Sequence, residues 1–201
     1  MRWLMTLANY LWHPLFIPLY GYALVTYMQP YRYDTSFVLV QALVLFILLV
    51  ATPLMLFPIM RQLRLIKSIH LRHVKERKWP LMIQCLLWVI VLKVLAQTSG
   101  VTPLYYFYLG GLGSSLLALI ATMRGFKVSL HQIGITGLTL FAFGLSWQMG
   151  TSIIEILLVL TFALGWVASA RLWSQAHHTR ELWLGALLGV LPQVLLFCYW
   201  L

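Results

Sequence analysis

Three short polar stretches in an otherwise apolar chain hold nearly all of its chemically capable side chains. The last runs Ala170-Arg171-Leu172-Trp173-Ser174-Gln175-Ala176-His177-His178-Thr179-Arg180-Glu181. If the chain is helical from 177 to 181, His177 and Glu181 share a face. The carboxylate can then fix the imidazole tautomer and raise its basicity, which is how a histidine nucleophile is prepared. His178 is the alternative, although Glu181 is then only three residues away. The middle stretch, Lys127-Val128-Ser129-Leu130-His131, puts a hydroxyl and an imidazole two residues apart where an apolar segment begins. A helix N-terminus there adds free N–H groups for an anion. The first, Arg72-His73-Val74-Lys75-Glu76-Arg77-Lys78-Trp79-Pro80, leads several cations into a proline, a composition suited to phosphate or carboxylate recognition. A metal site from His131, His177, His178 and Glu181 lacks the His-Glu-x-x-His type of spacing, and the neighbouring cations would repel the ion. The expectation is therefore an anion site with no metal and no cofactor.

The elements that position these stretches are hydrophobic. Of 201 residues, 62% are hydrophobic and 9% charged, against roughly a quarter charged in soluble domains. The chain reads as an all-α, polytopic membrane helix bundle forming a single domain over 1–201. Seven apolar segments, roughly 4–28, 36–60, 80–97, 103–123, 132–149, 152–170 and 182–201, come near the length of a span, giving six to seven transmembrane helices. Pro14 and Pro18 mark the first as a kinked helix and not a removable signal. Cys85 and Cys198 lie in apolar segments and read as packed thiols. Counting crossings puts the gaps 61–79, 124–131 and 171–181 on the side of Met1, so the three polar stretches can converge on one membrane face.

That face carries twelve of the fourteen Lys and Arg residues, offset by Glu76 and Glu181; the opposite face has Arg32 and Asp34. The positive-inside rule makes the rich face cytoplasmic. Arg61, Arg64, Arg72 and Lys75 recur near helical spacing, as in an interfacial cationic helix touching anionic lipid. No soluble module exists to present a basic patch to nucleic acid. Lys93 and Glu155, inside segments, are expected to pair, because an isolated charge in hydrocarbon costs about 2.5 kcal/mol or more. Gly110, Gly111 and Gly113, and Gly185 with Gly189, suit close helix packing.

Arg171, five residues, His177, three residues and Glu181 resemble the last signature of the type-2 phosphatidic acid phosphatase superfamily, Ser-Arg-x5-His-x3-Asp, with Ala170 for serine and Glu181 for aspartate. Val128-Ser129-Leu130-His131 is similar to the second signature, Pro-Ser-Gly-His, keeping Ser and His. The first, Lys-x6-Arg-Pro, keeps Pro80; Arg72 stands for the lysine and Trp79 for the arginine, with Lys75, Arg77 or Lys78 able to supply the charge. The resemblance covers about 72–189, a phosphatase-like core.

It implies metal-independent hydrolysis of a phosphomonoester or pyrophosphate lipid through a phosphohistidine: a polyprenyl pyrophosphate, a phosphatidate-like lipid or a lipid A phosphate. In it His177 is the nucleophile, Glu181 its orienting base and His131 the general acid, while Arg171, Ser129, Arg72, Lys75, Arg77, Lys78 and Lys127 hold phosphoryl oxygens. The partners are the lipid and the bilayer, and the location a bacterial inner (plasma) membrane. Many members of the family work on the extracytoplasmic face, whereas charge favours the cytoplasmic one. The rival reading is a catalytically silent relative that binds anionic lipid or scaffolds a membrane complex.

Overall fold

The computed structural model describes residues 2–67 and 73–201. Among the described residues it has eight continuous helices and no strand: α1 Arg2–Leu11, α2 Ile17–Met28, α3 Thr35–Gln62, α4 Lys78–Thr98, α5 Pro103–Met123, α6 Leu130–Met149, α7 Ile154–Trp173 and α8 Thr179–Trp200. The protein is an all-α membrane helix bundle. Five helices, α3, α4 with its 3-10 lead from Val74, α5, α7 and α8, are long and apolar enough to cross a membrane. Helix α6 is equally long at 20 residues, but His131, Gln132, Gln148 and three glycines dilute its apolar character. It packs between α8, α7, α5 and α2, with Ile135, Phe141, Ala142 and Leu145 fully buried.

The first apolar segment is two helices and not one kinked helix. Helix α1 stops at Leu11, the chain turns through 12–16, and α2 resumes with Pro18 in its first turn, where a missing N–H is harmless. Pro14 falls where a continuing helix would need its N–H, and its ring would meet the carbonyl of Tyr10. Ten residues rise only about 15 Å, half a bilayer core, so α1 cannot cross alone. It packs along α7 instead.

Other boundaries follow local chemistry. Pro103 starts α5 at a position needing no donor. Ser129 caps α6, and Gly150 ends it in the left-handed region at φ 60, where glycine pays no Cβ penalty. Within α3, Ile47–Ala51 form a π turn, and the Thr52 hydroxyl donates to Ile47 O at 2.8 Å.

The stretch 61–78 is no continuous cationic helix. Helix α3 ends at Gln62, Arg64 is left-handed at φ 57, and Val74–Arg77 form a 3-10 turn; His70 and Arg72 lie outside the described residues. Lys93 and Glu155 are both exposed on the outside of the bundle, and among the described residues neither forms an ion pair. Each long side chain can reach the interface on its own at less cost than ordering a pair.

Helices α6 and α8 touch backbone to backbone. A Cβ on Gly185 would stand 2.7 Å from Ser129 O, and one on Gly189 2.5 Å from Ile133 O. Ser129 N–H also donates to Glu181 O at 3.2 Å. This crossing holds the beginning of α8 against the beginning of α6, so their polar ends share one end of the bundle.

Candidate active site

Helix α8 opens with a capping box: Glu181, at its third position, accepts from the His178 N–H at 3.4 Å while the His178 side chain caps in return. The same oxygen, Glu181 Oε2, accepts from His177 Nδ1 at 2.6 Å. A carboxylate partner fixes the proton on Nδ1 and leaves the Nε2 lone pair free. The expected helical relation holds only in part, since His177 precedes the helix and Glu181 lies in its first turn. The preceding loop turns back through Gln175, at φ 51, and this bend brings Arg171 and His177 to one place.

His177 is 5% exposed. Burial first, then Arg77, Arg171 and Lys127, hold the ring down at about 3, so it is neutral in spite of the adjacent carboxylate. Lys127 sits 3.9 Å from Glu181 Oε2 and donates to Ala176 O at 2.6 Å. Its own pKa is lowered by burial and by Arg77 and Arg171, against the opposing pull of Glu181. It secures the loop carrying the histidine and does not line the cavity.

Of the three cations before Pro80, the structure turns Arg77 inward. Arg77 is 5% exposed and donates to Val128 O at 2.6 Å; Lys75 and Lys78 are exposed, and Lys78 lies over the Trp79 ring. Arg171 donates to Asn9 Oδ1 at 3.2 Å, and its buried Nε has no acceptor among the described residues. His131 Nε2 is 3.1 Å from Asn9 O; a carbonyl can only accept, so His131 donates and presents Nδ1 elsewhere. Ser129 is fully buried, and its hydroxyl accepts from Gln132 N–H at 3.4 Å. It is a helix cap and does not line the cavity.

His177, His131, Arg77 and Arg171 thus line one cavity of about 250 Å³, and Glu181 stands behind His177. Arg72 lies outside the described residues. The site also includes residues that sequence reasoning passed over. Asn9 touches both Arg171 and His131. His13 also lines the cavity, its ring edge-on to that of His131 at 5.1 Å. The one signal that could have flagged Asn9 is its uncharged amide among the apolar residues of a short helix. Among the described residues no three of His, Cys, Asp and Glu gather as a metal site.

The remaining walls are mostly apolar or small, with Ile17 and Pro18, Phe57 and Met60 of α3, Leu81 and Trp88 of α4, and Phe107 and Gly111 of α5, interrupted by the polar Gln84, Ser114, Ser115 and Gln193. The cavity therefore joins a cationic, imidazole-lined end to a hydrophobic interior, which is chemistry for an anionic head on an apolar body. No family model, curated protein or solved structure matches the chain, so a functional assignment rests on this geometry and on the motifs themselves.

Proposed function

We propose that the chain is an integral-membrane lipid phosphatase, a divergent member of the type-2 phosphatidic acid phosphatase superfamily, hydrolysing a phosphomonoester or pyrophosphate head through a phosphohistidine. The observation that carries the reading is the neutral His177, locked through Nδ1 on Glu181, in a cavity with two arginines and a second histidine. The buried Arg171 Nε, a donor with no acceptor among the described residues, suits a phosphoryl oxygen.

In this mechanism His177 Nε2 attacks phosphorus. The bond to the lipid oxygen breaks, and that oxygen takes a proton from Nδ1 of His131 in its imidazolium form, whose other proton, on Nε2, stays with Asn9 O. Arg77 and Arg171 carry the charge on the non-bridging oxygens. Neutral His131 then takes a proton from water as that water attacks the phosphohistidine, releasing phosphate and restoring His177. The charge asymmetry supports a plasma-membrane protein with this end toward the cytoplasm.

A second reading, a silent lipid-binding relative, is favoured by one observation: Arg77 and Arg171 both spend a donor on protein carbonyls. Purified protein in detergent with chelator, offered a panel of lipid phosphates and pyrophosphates beside His177→Ala, separates the two. Phosphate release by the wild type and none by the variant supports the enzyme; no release by either folded protein favours the silent binder.

A further inference from the structure

The cavity has a depth and a floor. Its lining runs from Arg77, just before α4, to Trp88 within it, and on the antiparallel α5 from Ala118 to Phe107, a separation of eleven residues in each case. At ~1.5 Å per residue this is about 16 Å, three helical turns, measured inward from the phosphate-binding end. The two helices agree in direction: Ala118 packs with Leu81 and Val128 near Arg77, whereas Gly111 meets Trp88 at the other end.

The far end is built from locked side chains. Trp88 Nε1 donates to Ser115 Oγ at 3.1 Å, and its ring lies 5.2 Å from that of Tyr108. The Tyr108 hydroxyl in turn donates to Pro18 O at 3.0 Å. The Phe107 ring stacks on Phe141 at 4.4 Å. Gln193, 1% exposed, donates through Nε2 to Phe107 O at 3.0 Å. Gly110 and Gly111 leave the room these groups fill: a Cβ would stand 2.4 Å from Gln193 Nε2 and 2.9 Å from Trp88. A chain descending between α4 and α5 meets two held aromatic rings and an amide, and gains nothing by displacing them.

From this we infer that the ligand is a single-chain lipid phosphate whose whole chain is taken into the bundle and ends against Trp88, Phe107 and Gln193. The inference rests on the reading of the cavity end as a phosphate site and narrows it. A volume of about 250 Å³ falls just below the roughly 300–1,000 Å³ usual for small-molecule pockets and suits one chain better than two. A diacyl lipid is therefore expected to fit the slot worse than a single chain, and a long polyprenyl chain overruns it. A chain about as long as farnesyl fills it.

The test uses the full chain in detergent and two measurements. The first is crosslinking by a non-hydrolysable farnesyl-length phosphonate with a photoreactive group at the chain terminus, mapped by mass spectrometry. Adducts on α4 and α5 at Trp88, Phe107 or Gly111, competed by unlabelled phosphonate, support the inference. Adducts confined to outward residues such as Leu86 and Val89, 59% and 52% exposed, overturn it. The second is phosphate release from geranyl, farnesyl, geranylgeranyl and undecaprenyl phosphates and a phosphatidate by wild type and Trp88→Ala. A peak near farnesyl that moves at least tenfold in relative kcat/KM toward geranylgeranyl in Trp88→Ala supports the floor. Equal rates across the series in both proteins overturn it. Slot adducts without release from any substrate contradict the phosphatase reading and leave the chain slot standing, so the two failures are distinct. Should Trp88→Ala fail to fold, Gly111→Ala, which pushes a methyl into the slot beside Trp88, is expected to shift the preference toward geranyl.

Discussion

Asn9 Oδ1 accepts a hydrogen bond from Arg171 Nη1 at 3.2 Å, linking a ten-residue helix near the start of the chain to the last turn of α7. The carbonyl of the same residue holds His131 at 3.1 Å, so α1 touches two of the groups assigned to phosphate chemistry. In Asn9→Asp a carboxylate would face the guanidinium and compete with the substrate for it. KM for a lipid phosphate is expected to rise about tenfold or more, the worth of one hydrogen bond to a charged group, with a smaller change in kcat. Asn9→Ala leaves the cation free and is expected to change KM less. Equal KM values for wild type and Asn9→Asp would remove Arg171 from the binding site.

The acid limb of the pH profile reports His177. Burial and the cations lower its pKa to about 3, and the neutral ring is the reactive form. A fall in kcat/KM due to this group is expected only as pH approaches 3, and not near the ordinary 6.5. The same shift bears on stability: between these values the unfolded chain binds the proton more readily, so the contribution is complete above 6.5 and is lost as pH falls toward 3. Glu181→Gln keeps an acceptor but loses the charge that settles the tautomer, and is expected to reduce kcat by about 10²- to 10⁴-fold. Steady-state kinetics across pH 3 to 8 examine both.

Arg77 is separable from its neighbours. Arg77→Ala is expected to lower kcat/KM by about 10²-fold or more, as when one donor to a developing charge is lost. Lys75→Ala with Lys78→Ala, both residues being exposed, is expected to stay within about threefold, the scale of a screened surface charge. The reverse ranking would mean that the exposed lysines are the ones that reach the phosphate.

Two glycines give opposite stabilities. At Gly185 an added methyl meets the backbone of Ser129, which cannot swing aside, so Gly185→Ala is expected to cost about 1–3 kcal/mol. At Gly165 nothing lies within 4 Å of the added methyl, and Gly165→Ala is expected to stabilise by about 0.5–1 kcal/mol through helix propensity. Thermal unfolding in detergent distinguishes them. Unchanged stability in Gly185→Ala would contradict the backbone contact between α6 and α8.

The helices were legible because a run of some twenty apolar residues has few other uses, and the convergence of three polar stretches followed from counting crossings. What spacing could not provide was angle. The first polar stretch enters α4 through a 3-10 turn, whose three residues per turn differ in phase from the 3.6 of the helix. Which of Lys75, Arg77 and Lys78 turns inward is then undetermined by counting back from Pro80. The break between α1 and α2 was missed because a proline inside an apolar run marks a kink or a stop equally well. Asn9 carried no motif, and its role depends on a helix that folds back along α7. Lys93 and Glu155 were paired on the price of isolated charge, although both sit near enough to segment ends to escape separately.

The π turn at Ile47–Ala51 fixes the rotational phase of everything after it in α3. It accommodates one residue more than an α-helix of the same rise, and Pro53, Phe57 and Met60, which line the cavity, all follow it. Deleting one residue within 47–51 would leave their phase as it is, whereas a change that straightened the turn to ordinary helix without removing a residue would rotate those three side chains by about 100°. The span would keep its length and hydrophobicity while its cavity wall turned toward lipid. For this helix the geometry of a single turn therefore decides which residues face the cavity more than the identity of any one apolar residue in it.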